Sequence, residues 1–158
     1  MPIRPALLNS ASTTISGEQY AAIDVKVSLQ LPRSTIIRIL ITETVADAAL
    51  ADAIHAEALG QVARRRQPDR LAHEWTISTA IGNEAWAAME AIRARTGARV
   101  SEVTRAVLVV ALNAGINRFE HEFAAELAAR EAASVRGRQD LARRIARACL
   151  STFGEVAA

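Results

Sequence analysis

One short segment with a period of two limits what this chain can fold into. In residues 75–81, WTISTAI, large or β-branched side chains alternate with small ones, so the two sets lie on opposite faces of a strand. A turn follows at Gly82-Asn83, and helical spacing begins near Trp86. Because an isolated pair of strands is marginal in water, such a strand needs both a partner strand and helices to cover its apolar face.

A second alternating segment is the predicted partner strand. In residues 24–32, DVKVSLQLP, aliphatic side chains alternate with polar ones, and Pro32 ends the run. We expect strand 25–31 to pair antiparallel with strand 75–81. Both strands precede two helical patterns, and a shift of 50 residues superposes the two halves. The expected fold is mainly α with one two-stranded antiparallel ribbon, in a pseudo-two-fold tandem arrangement within a single chain.

The domain boundaries follow from residues that interrupt helices and strands and from the helical spacing of apolar residues. Residues 1–22 lack periodicity and are rich in Pro, Ser and Thr, which predicts a flexible N-terminal arm. The tandem domain is expected over 23–115, with copies 24–62 and 74–114, a linker 63–73 and a C-terminal helical extension 116–158.

The helices of this scheme have recognisable ends. Pro32 is expected to open a helix, and another is expected at about 50–62. In the second copy we expect helices at about 83–96, closed by Gly97, and from Ser101 to about residue 114. The C-terminal extension is expected to hold two helices, at about 117–134 and 139–153.

The composition excludes several functional classes. Cys149 is the single cysteine, which rules out an internal disulfide and a cysteine-rich zinc site and suits a reducing compartment. His73-Glu74 and His121-Glu122 lack the second His of a zinc-protease motif. No apolar run reaches the length of about 18 residues that a membrane helix needs. We therefore expect a cytoplasmic, non-enzymatic protein with no cofactor, no metal and no membrane segment.

The basic residues are concentrated in the middle of the chain. Residues 60–110 contain eight Arg and five acidic residues, whereas residues 1–59 contain four basic and six acidic ones. A basic central segment favours a polyanionic partner. Arginine accounts for 18 of the 19 basic residues, so genome composition is an alternative source of this bias.

The second half of the chain resembles the ribbon-helix-helix family of DNA-binding proteins. The resemblance is carried by strand WTISTAI, helix EAWAAMEAIRARTG and the segment ARVSEVTRAVLVVAL. It implies a ribbon that lies in the major groove of double-stranded DNA. Two copies in one chain would be similar to the tandem, single-chain form that assists T-DNA transfer. The implied function is that of a transcriptional regulator or a plasmid or DNA-transfer accessory factor.

Strand parity and helix ends identify the candidate DNA contacts. Small and polar side chains on the outer face of a ribbon can reach base edges, and a helix N-terminus attracts a phosphate. The expected base-facing residues are Lys26, Ser28, Gln30, Thr76, Ser78 and Ala80. The expected phosphate contacts are Arg99, Ser101, Arg64, Arg65 and Arg66.

Structural alternatives exist for each of these assignments. The polar ribbon face also suits a solvated sheet surface, Ser101 also suits a plain N-cap, and an Arg run in a linker is often only solvated. Trp75, Trp86 and Cys149 are expected in the core.

Two other functions remain open at this point. In an antitoxin-type repressor, the C-terminal helices would bind a partner protein. In an all-helical interaction protein, there would be no nucleic-acid contact. The stripe of Phe119, Phe123 and Leu127 is expected to pack on the last helix, with a partner protein or self-association as alternatives.

Overall fold

The computed structural model describes residues 9–27, 31–65 and 75–156. It is mainly helical with one two-stranded sheet, and it divides into two compact units, residues 1–123 and 124–158. In chain order the elements are β1 (Asn9–Ile15), α1 (Gly17–Val27), α2 (Arg33–Ala46), a 3-10 turn (Ala48–Leu50), α3 (Ala51–Arg64), β2 (Trp75–Ile81), α4 (Asn83–Thr96), α5 (Val100–Ala114), a 3-10 turn (Ile116–Phe119) and α6 (Glu120–Val156).

The predicted antiparallel ribbon is present, but one of its strands is not the predicted one. β2 pairs with β1, with Ser12 opposite Ser78 at the centre of the register. Residues 25–27 of the predicted strand belong to helix α1, and residues 28–30 lie outside the described part of the chain. The expected flexible arm is also wrong for residues 9–22, which form β1 and most of α1. The aliphatic alternation was misleading because Val25 is 66% exposed and does not face the core.

A capping box explains why the chain becomes helical directly after β1. The Ser16 hydroxyl accepts a hydrogen bond from the backbone N–H of Gln19 at 3.2 Å. In return, the Gln19 side-chain oxygen accepts one from the N–H of Ser16 at 3.1 Å. This reciprocal pair satisfies two N–H groups that a helix start leaves without partners.

The core of the first unit lies between the ribbon and the helices behind it. α5 packs on β1, α2 and α3, and α2 packs on β2. The inward ribbon residues Ala11, Ile15, Ile77 and Ile81 are buried. They are joined by the fully buried helix residues Ile36, Leu40, Ile41, Val103, Val107 and Leu108. Burying these aliphatic side chains is the main favourable contribution to the fold, at about 1.5–3 kcal/mol for each large one.

Four predicted helices are confirmed as α2, α3, α4 and α5, to within about two residues. Gly97 ends α4 with φ of 69°, a left-handed conformation that glycine adopts without a Cβ clash. Pro32 precedes α2 as its N-cap, as expected from its fixed φ and missing N–H.

The C-terminal extension differs from the prediction. The two predicted helices are one continuous helix, α6. Its Gly137 costs only about 1 kcal/mol relative to alanine inside a helix, which does not break a segment this rich in alanine and arginine. Because the expected last helix is part of α6 itself, Phe119 and Phe123 do not pack on a separate one. Both are buried within the first unit.

Trp75 and Cys149 are exposed rather than in the core, and Trp86 is half-buried. Among the described residues, no single helix is long and apolar enough to cross a membrane. By length and composition alone, the segments Val100–Ala114 and Ile116–Leu150 are long and apolar enough only when taken together.

Candidate nucleic-acid interface

Six side chains point away from the core along the two strands, and we call this surface the ribbon face. β1 contributes Ser10, Ser12 and Thr14, and β2 contributes Thr76, Ser78 and Ala80. Thr14 is half-buried and the other five are exposed. The hydroxyls of Ser10 and Ser78 lie 3.3 Å apart, and Ser12 donates to the carbonyl of Ile77 at 3.2 Å. The ribbon face is therefore polar and uncharged, and it is built from short side chains.

The structure brings together only part of the predicted base-facing set. Thr76, Ser78 and Ala80 point outward on β2, as their parity predicted. Lys26 lies on α1 and not on a strand, which corrects its assignment to the ribbon. Ser28 and Gln30 lie outside the described residues. Ser10, Ser12 and Thr14 were missed because NSASTTI shows little contrast in size or polarity between its two parities.

Each strand is tied to the first turn of a helix by a threonine. Thr13 of β1 donates to the backbone carbonyl of Ser101 in α5 at 2.7 Å. Thr79 of β2 donates to the carbonyl of Ser34 in α2, also at 2.7 Å. Both threonines are buried. The N-termini of α2 and α5 therefore lie beside the ribbon, and the free N–H groups of such ends favour anions.

Arg105 connects α5 to the ribbon face. Its guanidinium donates to the Thr14 carbonyl at 2.8 Å and to the Thr14 hydroxyl at 2.9 Å. A third bond runs to the side-chain oxygen of Gln61 in α3 at 3.1 Å. Burial lowers the pKa of Arg105 from its ordinary value. These bonds hold Thr14 in a fixed position and place a positive charge beside it.

Two of the predicted phosphate contacts are engaged within the protein. Arg65 forms a bidentate ion pair with the Glu102 carboxylate. Its Nε lies 2.8 Å from one carboxylate oxygen, and its terminal nitrogen donates to the other. The same carboxylate accepts the N–H of Arg99 at 2.7 Å. The hydrogen bond from Arg65 is the main reason why the pKa of Glu102 is lowered. Arg64 pairs with Glu57.

The remaining predicted phosphate residues have different placements. Arg66 lies outside the described residues. Arg99 is the N-cap of α5, and Ser101 is its second residue. Arg99 also lines a depression of about 490 Å³ at the α4–α5 turn, together with Gly97 and with Arg93, which forms an ion pair with Glu90 in the same wall. Of the predicted phosphate set, Arg99 is the residue that lies beside an open space.

An aromatic stack closes one end of the ribbon. The rings of Trp75 and Tyr20 lie 4.3 Å apart between centroids, with an interplanar angle of 20°. Arg33 covers the Tyr20 ring at 4.4 Å and pairs with Asp24. The stack joins β2 to α1 and to the start of α2. It also explains why Trp75, although 44% exposed, is held in place.

Within the described segments, no group of three or more His, Cys, Asp or Glu residues is arranged to hold a metal ion. Comparison of the chain with protein-family models, with curated proteins and with solved structures finds no match in any of the three.

Proposed function

We propose that this protein binds double-stranded DNA by placing the ribbon face in the major groove. It would act as a transcriptional regulator or as a plasmid or DNA-transfer accessory factor, without enzymatic activity. The observation that carries the proposal is the ribbon face itself, which consists of short, uncharged and mostly hydroxylated side chains. A two-stranded ribbon fits the major groove, where hydroxyls can bond either donors or acceptors on base edges.

The proposal includes two ribbon-helix-helix repeats in one chain, β1–α1–α2 and β2–α4–α5. These repeats differ from the copies that the 50-residue shift predicted. Along the strand and first helix, an offset of 66 residues aligns identical residues. The identical pairs are Ser12 with Ser78, Thr13 with Thr79, Ile15 with Ile81, Glu18 with Glu84, Ala21 with Ala87 and Ala22 with Ala88.

The second helices of the two repeats align at an offset of 67 residues. This offset pairs Ser34 with Ser101 and Arg38 with Arg105. The two threonine bonds support the same alignment, because Thr13 and Thr79 are equivalent residues and their acceptors, on Ser101 and Ser34, are equivalent too. In this arrangement each strand is hydrogen-bonded to the second helix of the other repeat, and α3 connects the two repeats.

The proposed division of roles follows from the charges. The ribbon face carries no charge, so it would read bases through hydroxyls and through the Ala80 methyl, which suits the thymine methyl group. Affinity would come from phosphates held near the N-termini of α2 and α5 and near Arg99. Binding should therefore weaken steeply as salt is raised.

The test is selection of bound duplexes from a random library at low salt, followed by affinity measurement on an enriched duplex. The variant Ser12→Asp/Ser78→Asp (S12D/S78D) puts two negative charges at the centre of the ribbon face, against the DNA. We expect affinity to fall by at least about tenfold, since like-charge juxtaposition across an interface costs several kcal/mol.

The matched control is Ala53→Asp/Ala56→Asp, which adds the same two charges at exposed positions of α3. This control should lose much less affinity than the ribbon variant. Equal losses in both variants would contradict a role for the ribbon face. Failure to enrich or retain any duplex at low salt would contradict DNA binding altogether.

A further inference from the structure

The second unit exposes large apolar side chains along α6. Leu141 and Ile145, one turn apart on the same face, are 58% and 56% exposed, whereas the exposed Val135 and Leu150 lie on other faces of the helix. Single exposed aliphatic residues are ordinary, but neighbouring ones on one helix face form an apolar patch of the kind that marks an interaction surface. These residues lie in a helix that is by itself the whole described part of the second unit.

On one side of α6, four of seven positions spaced as in a coiled-coil seam are apolar. Starting at Leu127, steps of four and three residues reach positions on one side of the helix, as in a heptad repeat. We call this set the α6 seam: Leu127, Glu131, Ser134, Arg138, Leu141, Ile145 and Ala148. The seam carries one acidic and one basic side chain on either side of Ser134. Such charged seam residues lower stability but specify the partner and its orientation.

Charge is distributed unequally between the two ends of α6. Residues 120–131 contain four Glu and one Arg, whereas residues 136–147 contain five Arg and one Asp. Two such helices side by side in parallel would bring acidic end to acidic end and basic end to basic end. In the antiparallel orientation each acidic end faces a basic end, which is electrostatically complementary.

We propose that the occupant of the α6 seam is a second copy of this chain, with the two α6 helices antiparallel. Leu127 of one copy then lies near Leu141 of the other. Glu131 of each copy faces Arg138 of the other, twice per dimer because a two-fold contact repeats every pair. The proposal does not depend on DNA binding.

The experiment is sedimentation of the full chain at several concentrations in low salt. The wild type should reach twice its 17.0 kDa chain mass. Glu131→Arg and Arg138→Glu each turn two attractive contacts into repulsive ones, so each should raise the dissociation constant by about tenfold. The double swap Glu131→Arg/Arg138→Glu restores the opposite-charge pairs and should return to near wild-type affinity.

Arg143→Glu is the control, because it makes the same charge change on the other side of α6, where Arg143 lies beside Asp140. It should change the dissociation constant much less than Arg138→Glu. A wild-type chain that stays monomeric at about 100 μM overturns the proposal. The antiparallel pairing is overturned if the single charge reversals leave the dissociation constant unchanged. It is also overturned if the double swap does not restore the wild-type dissociation constant.

Orientation can also be read directly by cross-linking in a Cys149→Ala background. Chains carrying Glu131→Cys are mixed with chains carrying Arg138→Cys under mild oxidation. An antiparallel dimer yields a disulfide between the two kinds of chain in preference to either kind with itself. Preferential cross-linking of like chains would indicate a parallel seam and would contradict the proposal.

Discussion

The Glu102 carboxylate joins three parts of the first unit. It accepts bonds from Arg65 at the end of α3 and from the N–H of Arg99, and it sits in the first turn of α5. Only 10% of its side chain is exposed. A charged acceptor of this kind is worth more than a neutral one, and an acidic group near a helix N-terminus is favourable for the same electrostatic reason.

Glu102→Gln should lower the free energy of unfolding by about 1 kcal/mol at pH 7, because the amide keeps an acceptor but loses the charge. The pKa of Glu102 is lower in the folded protein than in the unfolded chain. Its stabilisation is therefore present above the unfolded pKa, near 4.3, and is lost as the pH falls through the folded pKa. Urea unfolding of both proteins at pH 7 and in acid should show the difference shrink in acid. A difference that stays constant with pH would contradict the assigned ion pair.

At the scale of elements, the ribbon is fixed to the helices by two buried threonine hydroxyls. Thr79→Val keeps the shape of the side chain but leaves the Ser34 carbonyl without this donor. We expect a loss of about 1–2 kcal/mol of stability, the cost of an unsatisfied buried group. Thr13→Val should cost a similar amount through Ser101. Thr76→Val on the exposed ribbon face is the control, and a surface change should stay within about 0.5 kcal/mol. Equal effects at Thr76 and Thr79 in denaturant unfolding would argue against the bond.

The elements differ in how far the sequence revealed them. β2, α4 and α5 were predictable because WTISTAI alternates clearly, Gly97 marks a helix end and the α5 apolar spacing is regular. β1 was not, because the inward residues of NSASTTI, Thr13 among them, differ little in size or polarity from the outward ones. A polar residue is buried there only because the Ser101 carbonyl accepts its hydroxyl, and no local pattern reveals a partner 88 residues away.

The candidate site was only partly predictable for the same reason. Thr76, Ser78 and Ala80 followed from the parity of one strand, whereas their neighbours across the ribbon depended on which segment paired with it. Arg65 was predicted as a phosphate contact because an Arg run gives no sign of an internal acceptor. Its partner Glu102 lies 37 residues away, brought close by the packing of α3 on α5.

For the whole molecule, the proposed repeat implies that the ribbon face contacts bases asymmetrically. Equivalent positions of the two repeats carry Thr14 and Ala80, so the two ends of the ribbon face offer different chemistry. Ala80→Thr makes these two positions identical and adds only a small exposed side chain. If the protein binds DNA as proposed, duplexes selected by this variant should be closer to two-fold symmetric than those selected by the wild type. Selected sequences that are unchanged would indicate that neither position contacts bases.

The ribbon joins two segments of one polypeptide, and this determines how it responds to dilution. A sheet shared between two molecules comes apart as the concentration falls, whereas a sheet closed within one chain forms by a unimolecular step whose equilibrium is independent of concentration. Fifty-nine residues lie between the two strands, so closing them carries a loop entropy that the packed helices must offset. Once folded, the surface built on Ser12 and Ser78 therefore persists at concentrations where any association through α6 has already been lost.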